Sequence, residues 1–229
     1  KTGSVVGDCR QVLVHRKRGA NLLNKYRVFG DMLSGNCYKI AMLLEFMGAP
    51  YQWEAVDVLS GFTQSFEFKQ LNPNGKIPLL EITDETTGER AYLSESNAIL
   101  NYLAEGSEFL PAAGLARGRV LQWQFFEQYS HEPYLAVSHS IKKAIYTVDD
   151  PAAKLAELHP EGVRALETME RHLATNDWFV AGAPTIADIS LYPYTQSAPH
   201  AGFDLDGYPN VVAWIGRVER LLGFVSKED

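Results

Sequence analysis

Cysteine is scarce in this sequence, long apolar runs are missing, and positive charge is not in excess. Only two of the 229 residues are cysteines, Cys9 and Cys37. Two cysteines cannot form a disulfide framework, so we expect a reducing compartment. No segment approaches the roughly 18 consecutive apolar residues that a membrane-spanning helix needs. The net charge of −7 argues against nucleic acid as the main partner.

Length and composition fit a globular protein with one large domain or two small ones. Hydrophobic residues make up 46% of the chain and charged residues 21%, which is ordinary for a soluble protein with a full core. Residues 1–25 carry a net charge of +5, which leaves −12 on the rest. We expect this segment to be an extension or an expression remnant. The alternative is a basic arm that docks on the acidic body or on another subunit.

Apolar periodicity over residues 26–105 predicts a small α/β domain. Strand patterns cover 26–29, 51–55, 77–82 and 91–93, and helical patterns begin near 36, 64 and 96. The last two strands flank a turn at 84–88 and form a predicted hairpin. The resulting order, β-α-β-α-β-β-α, places helices on an open mixed sheet. It is also the order of a thioredoxin-like domain.

Residues 106–114 contain glycine, proline and small residues and predict a linker. No strand pattern follows the linker, so residues 115–229 are predicted to form an all-helical bundle. Pro133 is expected to kink or end a long helix there. Thr185 and Asp188 have the spacing of a capping box at a helix N-terminus. We therefore expect Asp188 to act in folding rather than in catalysis.

Two short segments carry the most specific signal, residues 72–78 (NPNGKIP) and 94–99 (SESNAI). Pro78 has no N–H for a strand ladder and an unusual chance of a cis peptide bond, which leaves the polar main chain of Ile77 facing a ligand. Glu95 and Ser96 begin a helix whose N-terminus favours a carboxylate. Together the segments predict a site for a small, extended, anionic peptide.

The ordered pair NPxGxxP and ESxAI resembles the glutathione-binding half of the cytosolic glutathione transferases, and the resemblance covers residues 26–225. It implies a thioredoxin-like domain followed by a helical bundle, glutathione as co-substrate, no metal, and a cytosolic homodimer. The second substrate would be a small hydrophobic electrophile. Nucleic acid and membrane partners are not implied.

The same resemblance assigns contacts to glutathione. The main chain of Ile77, with Pro78 cis, would pair with the cysteinyl unit. Glu95 and Ser96 would hold the amine and the carboxylate of the γ-glutamyl unit, and Lys76 would pair with a carboxylate.

Two further residues are expected near the glycine end of glutathione. Lys39 would lie close to the glycyl carboxylate, with a solvated helix face as the alternative. Gln64 belongs to a loop where relatives place His or Lys for this contact, and Thr63 and Gln64 stand there in this chain.

Ser34 lies between the first strand and the first helix, where thioredoxins have the first cysteine of C-x-x-C. A serine without a base is a poor nucleophile, but its hydroxyl can donate to the sulfur of glutathione and favour the reactive thiolate. The segment SGNCYK is similar to that of serine-type transferases of the phi, theta and related bacterial groups. We therefore predict Ser34 as the catalytic residue, and a plain helix N-cap is the alternative.

The two residues after Gly35 need separate interpretations. Asn36 competes with Ser34 for the helix cap or assists the sulfur. Cys37 occupies the place of the second cysteine of C-x-x-C and is expected to pack in the core. The alternative for Cys37 is mixed-disulfide exchange with glutathione.

The second substrate is expected between the thiol and the first long helix of the bundle, where residue type suggests Leu33, Trp123 and Tyr129. His131 and His139 lack a third ligand at a metal spacing, so we do not expect zinc. The leading hypothesis is a glutathione transferase. The alternatives are a glutathione-dependent disulfide or peroxide reductase and a non-enzymatic binding protein with the same fold.

Overall fold

A mixed four-stranded sheet forms the first part of the protein. The computed structural model describes residues 24–180 and 182–223, so the expectations for residues 1–23 lie outside the described residues. The strands are β1 (Asn24–Gly30), β2 (Gln52–Ala55), β3 (Leu79–Asp84) and β4 (Arg90–Ser94), in the sheet order β2-β1-β3-β4. β1 pairs in parallel with β2 and antiparallel with β3, and β3 and β4 form the predicted hairpin.

Three helices complete this domain: α1 (Gly35–Met47), α2 (Phe66–Leu71) and α3 (Ser96–Ala104). The predicted β-α-β-α-β-β-α order is confirmed. α1 ends at Gly48, whose φ of 59° lies in the left-handed region that glycine adopts without a Cβ clash. Ile40 and Leu43 of α1, Leu100 of α3 and Val28 and Leu80 of the sheet are buried in one hydrophobic cluster.

Two burial patterns differ from the expectations. The alternation of Tyr51, Trp53 and Ala55 with polar residues predicts one buried face for β2, but Trp53 is half-buried and Ala55 is exposed, because β2 lies at the edge of the sheet. In α3 the spacing of Ala98, Ile99, Tyr102 and Leu103 predicts that these apolar residues share the inward face. Ala98 and Tyr102 are exposed, and Leu100 is buried in their place. Periodicity alone located the helix but misplaced its inward face by part of a turn.

Beyond residue 113 the described residues form helices and connecting loops without a strand, which confirms the all-helical second part. The helices are α4 (Gly114–Phe126), α5 (Glu132–Lys142), α6 (Pro151–Leu173), α7 (Ile186–Gln196), α8 (Ala198–Ala201) and α9 (Pro209–Leu221). A π-helical segment, Glu127–His131, joins α4 to α5. Pro133 lies in the first turn of α5, where it is tolerated. In the described ranges no helix combines the length and the hydropathy that crossing a bilayer requires.

The two parts share one hydrophobic core. The cluster that contains Val28 and Leu43 continues through Val120 of α4 and Trp214 of α9. α7 packs against both α1 and α3. The boundary at residues 106–114 stays a prediction, but α7 brings the helical part against the N-terminal ends of α1 and α3.

Both hydrogen bonds of the predicted capping box are present at the N-terminus of α7. Asp188 Oδ2 accepts a hydrogen bond from the Thr185 N–H at 2.9 Å, and the Thr185 hydroxyl accepts from the helix backbone. Asp188 Oδ1 also accepts from the Phe179 N–H at 3.2 Å and from Trp214 Nε1 at 3.0 Å. Burial raises the pKa of Asp188 to about 6, and these donors oppose that rise. Asp188 therefore links the start of α7 to α9 inside the core.

Replacement of Asp188 should destabilise the protein strongly. Asp188→Ala leaves several buried donors without an acceptor, so we expect a loss of about 2–4 kcal/mol in the free energy of unfolding, measured by urea denaturation. Asp84→Ala is the control, because the exposed Asp84 carboxylate also accepts from two main-chain N–H groups, those of Thr86 and Thr87. Equal losses for both variants would contradict a special role for the buried carboxylate.

Candidate functional site

The N-terminus of α1 is the centre of the candidate site. Ser34 is the N-cap residue, with φ of −82° and ψ of 118°, and it is half-buried. Its side chain makes no hydrogen bond to the helix, so it is an N-cap by position only. Its hydroxyl lies near the Cys37 thiol and acts to lower the pKa of that thiol. The Ser34 hydroxyl therefore lies beside the first turn of α1 without capping the helix.

Cys37 is a buried thiol in the first turn of α1. Its side chain has no exposed surface, and burial raises its pKa to about 11, although the Ser34 hydroxyl opposes the rise. Since only the thiolate attacks a disulfide, Cys37 is poorly suited to exchange at neutral pH. The structure favours the packing role that was expected for it.

Asn36 connects three helices at the site. Its Oδ1 accepts a hydrogen bond from Lys39 Nζ at 2.7 Å and another from Ser96 Oγ at 3.2 Å. Its main-chain N–H donates to the hydroxyl of Tyr194 in α7 at 3.2 Å. The structure thus brings Asn36 and Ser96, which the sequence placed in one glutathione site, into direct contact.

Lys39 forms a buried ion pair with Glu127 of the π-helical segment. The Nζ–Oε1 distance is 2.8 Å, and both side chains are 0% exposed. Glu127 Oε2 also accepts from Asn97 Nδ2 at 3.1 Å and from Gln128 Nε2 at 2.8 Å. This corrects the alternative of a solvated helix face for Lys39. The pair ties α1 to the helical domain, because either charge would be strongly destabilising here without the other.

The Ile77–Pro78 peptide bond is cis. Pro78 is buried, and Ile77 lies just before β3. Among residues 24–180 and 182–223, no hydrogen bond uses the main-chain N–H or C=O of Ile77. These groups are available to a ligand that lies along the start of β3.

Side-chain amides hold the loop before Ile77. Asn72 Nδ2 donates to the Lys76 carbonyl at 2.7 Å, and Gln64 Nε2 donates to the Gly75 carbonyl at 2.9 Å. Gln64, expected near the glycine end of glutathione, therefore uses its amide within the protein. The Lys76 side chain is exposed.

Glu95 has a strained main chain at the start of α3. Its φ of 68° and ψ of 113° lie outside the regions that side chains other than glycine prefer. Such strain costs about 1–3 kcal/mol and is found most often at functional sites. The exposed Glu95 carboxylate and the Ser96 hydroxyl stand next to each other there.

A cavity of about 500 Å³ opens beside the N-terminus of α1. Leu33, 80% exposed, lies on its rim. The remaining lining is mostly apolar and aromatic, and includes Met32, Gly35, Tyr38, Tyr192 and Tyr194. The cavity can hold a small hydrophobic molecule next to Leu33 and Gly35, the chain neighbours of Ser34.

Trp123 and Tyr129, the other two candidates for the second substrate, do not line this cavity. Trp123 is 9% exposed and packs against Phe179, with ring centroids 4.6 Å apart. It lies one turn after Val120 on the inward face of α4. Tyr129 is 83% exposed and lies on a different surface with Phe125. Neither residue is therefore assigned to the site proposed for the second substrate.

Sequence reasoning missed three site residues in the helical domain: Glu127, Glu132 and Tyr194. Glu132 is half-buried, and Asn36 lies close enough to it to lower its pKa. Burial, followed by the charge of Glu127, raises the pKa of Glu132. No local motif marks these residues.

In the described part of the chain, no group of three or more His, Cys, Asp or Glu residues could hold a metal ion.

Two family models match the chain over most of both domains. Residues 33–105 match the model described as Glutathione S-transferase, N-terminal domain, and residues 152–217 match Glutathione S-transferase, C-terminal domain. The chain belongs to the glutathione S-transferase family.

Similar proteins include bacterial members of known structure. A glutathione S-transferase from Pseudomonas fluorescens [Pf-5] is 50% identical, with a TM-score of 0.79, and the match covers 85% of this chain and 94% of that one. A family member from the same strain with two glutathione bound is 26% identical, with a TM-score of 0.74 and coverage of 89% and 95%. Disulfide-bond oxidoreductase YfcG of Escherichia coli (strain K12) is 30% identical over 80% of this chain and 85% of its own.

The Lys39–Glu127 pair should be strongly coupled in this transferase-family fold. Lys39→Met or Glu127→Leu alone leaves a buried charge unpaired and should cost about 3–5 kcal/mol in the free energy of unfolding. The double variant should cost clearly less than the sum of the two, measured as a double-mutant cycle by urea denaturation. The control is the exposed pair Lys154–Glu157, at 2.7 Å, whose coupling should stay below about 1 kcal/mol. A coupling for Lys39–Glu127 no larger than that of the control would refute the role given to the pair.

Proposed function

We propose that this protein is a glutathione transferase that adds the thiolate of glutathione to small hydrophobic electrophiles. The observation that carries the proposal is the position of Ser34. Its side chain stands at the N-terminus of α1 without capping it, and its two chain neighbours, Leu33 and Gly35, line the cavity. A thiol placed there would meet both a hydroxyl donor and the positive end of the helix dipole.

The physical effect required is a lower pKa for the glutathione thiol. A free thiol has a pKa of about 8.5, and only its thiolate attacks. Each unit of depression corresponds to about 1.4 kcal/mol in favour of the charged form. A hydrogen bond from Ser34 and the nearby helix N-terminus both stabilise the thiolate. A depression of about two units is sufficient for a largely ionised thiol at neutral pH.

Further groups would bind the rest of glutathione, and one of them, Ser96, contacts Asn36 in the first turn of α1. The main chain of Ile77 would pair with the cysteinyl unit, and Glu95 and Ser96 would hold the amine and the carboxylate of the γ-glutamyl unit. Lys76, exposed beside Ile77, would pair with a carboxylate of the tripeptide. In support, a family member that is 26% identical was solved with two glutathione bound.

We further propose that the protein is a homodimer. Large apolar side chains are exposed on the helical domain at Phe125 and Tyr129, and on the other domain at Leu59 and Phe66. Exposed apolar surface of this kind commonly marks a protein interface. A second copy of the chain is the partner that we expect to cover it.

A second candidate function is glutathione-dependent disulfide reduction. It is favoured by the 30% identity to a relative named disulfide-bond oxidoreductase. Because Cys37 is buried and its pKa is raised, the sulfur of glutathione would have to attack the disulfide. Ser34 would stabilise the glutathione thiolate in this reaction, as it is proposed to do in conjugation.

Ser34→Ala tests the proposed role of the hydroxyl. Conjugation of a small aryl halide should fall about 10- to 100-fold in kcat/KM, because a donor to the developing or bound charge is lost. The pKa of the bound thiol, followed by ultraviolet absorbance of the thiolate, should rise in the variant. Unchanged conjugation in Ser34→Ala would exclude the proposal.

Cys37→Ala is the matched control, because it removes the neighbouring thiol from the same helical turn. It should retain conjugation of the aryl halide. Loss of disulfide reduction in Cys37→Ala, with conjugation retained, would instead assign a redox role to this cysteine. Reduction of a small disulfide that greatly exceeds conjugation in the unmodified protein would favour the second candidate function.

Phe125→Glu tests the homodimer. A buried charge in an apolar interface is strongly unfavourable, so light scattering should show a shift from dimer to monomer mass. Val212→Glu, which changes an exposed apolar residue of α9, should leave the dimer intact. A monomeric unmodified protein, or a dimer that tolerates Phe125→Glu, would contradict the assignment of this surface.

A further inference from the structure

A cavity of about 540 Å³ lies in the helical domain, between α6 and the loop that leads from α8 into α9. We call it the α6 cavity. It shares no lining residue with the cavity beside Leu33, and none of the residues proposed for glutathione line it. The proposed reaction therefore leaves this cavity without a role.

Part of the lining of the α6 cavity is apolar and aromatic. Val163 and Leu166 line it from α6. The rings of His159 and Phe203, which also line it, stack with their centroids 5.1 Å apart and an angle of 5° between their planes. A Cβ atom at Gly162 would clash with the Phe203 ring, so glycine at this position lets the ring pack against α6. A surface of this kind accommodates a planar, apolar group.

Negative charge is in excess around the α6 cavity. Among the described residues that line it, the carboxylates of Glu167, Glu170 and Asp204 face one guanidinium, that of Arg171. Burial raises the pKa of the Tyr208 phenol, which also lines the cavity, and the same three carboxylates raise it further. Their charges therefore act on the space beside the Tyr208 ring. This electrostatic environment favours a cation over a neutral molecule and disfavours an anion.

Two of the three carboxylates are available to a ligand. Both oxygens of Glu170 already accept from the main-chain N–H of Asn210, at the start of α9. Glu167 Oε2, by contrast, lies 4.0 Å from Arg171 Nη1 in a loose, exposed pair. Asp204 Oδ1 accepts one hydrogen bond at 2.9 Å from the main chain of its own loop, and its Oδ2 accepts none within the described ranges.

We propose that the α6 cavity is a second binding site of this protein, which takes small organic cations with an aromatic body. The aromatic body packs against Val163 and Leu166, and the ammonium group lies between the Tyr208 ring and the carboxylates of Glu167 and Asp204. The face of a tyrosine ring attracts an ammonium group in addition to the attraction by the carboxylates. The inference does not depend on the proposed function, because the two sites share no residue.

Three soluble probes with the same phenyl ring separate the effect of charge from that of shape. 2-Phenylethylammonium is the cation, 2-phenylethanol the neutral molecule and 3-phenylpropanoate the anion. Each is titrated into the unmodified protein and followed by ligand-observed NMR. We expect the cation to bind about 10-fold more tightly than the alcohol at low ionic strength, and the anion to bind more weakly than both. The preference should shrink in about 0.5 M salt, because salt screens exposed charges.

Glu167→Gln and Asp204→Asn locate the site, because each removes one charge and keeps the shape of the side chain. Each should weaken binding of the cation about 2- to 5-fold and leave binding of the alcohol unchanged. Both side chains are exposed, so we expect the fold to be retained. Glu161→Gln is the matched control, because it removes the same charge from α6 at a position that pairs with Arg164 and does not line the cavity. It should leave the affinity for the cation unchanged.

Saturating glutathione should not displace the cation from the α6 cavity. Displacement by glutathione, equal affinity for the cation and the alcohol, or equal losses in Glu167→Gln and Glu161→Gln would overturn the inference. Conjugation of the aryl halide is measured separately and should be retained in all three variants, so the proposed function stands or fails independently of these results.

Discussion

The buried ion pair of Lys39 and Glu127 constrains the rest of the site. Both charges are withdrawn from water and meet at 2.8 Å across the boundary between the two domains. Lys39 also donates to Asn36 Oδ1, which accepts from Ser96 as well. The pair thereby fixes the first turn of α1, proposed to face the thiol, relative to the first turn of α3, proposed to face the γ-glutamyl unit. The same contact positions the π-helical segment of the helical domain.

The chemistry divides between the domains in a way that follows from this arrangement. The thioredoxin-like domain supplies the groups proposed for glutathione, among them Ile77, Glu95 and Ser96. The helical domain supplies much of the wall of the cavity and places Tyr194 against the Asn36 N–H. A change in the helical domain can therefore alter the second substrate without altering the sites proposed for glutathione. This division fits the names of two relatives of this chain, a disulfide-bond oxidoreductase and a glutathione S-transferase, which indicate different reactions.

Features that depend on a few neighbouring residues were predictable from the sequence. The cis bond at Pro78, the helix start at Glu95 and Ser96, and the capping box of Asp188 all follow from local chemistry. Tyr194 was not predictable, because its contact with Asn36 joins positions 158 residues apart. The partner of Lys39 is likewise 88 residues away, and an unpaired lysine is ordinarily exposed. Trp123 shows the same limit, since residue type cannot distinguish a core aromatic from one that lines a cavity.

The most direct test of the central proposal is a crystal structure of the protein with bound glutathione. If Ser34 stabilises the thiolate, the glutathione sulfur will lie within hydrogen-bonding distance of the Ser34 Oγ, at the N-terminus of α1 and at the mouth of the cavity beside Leu33. A sulfur that points away from Ser34, or that pairs with Cys37 instead, would contradict the proposal.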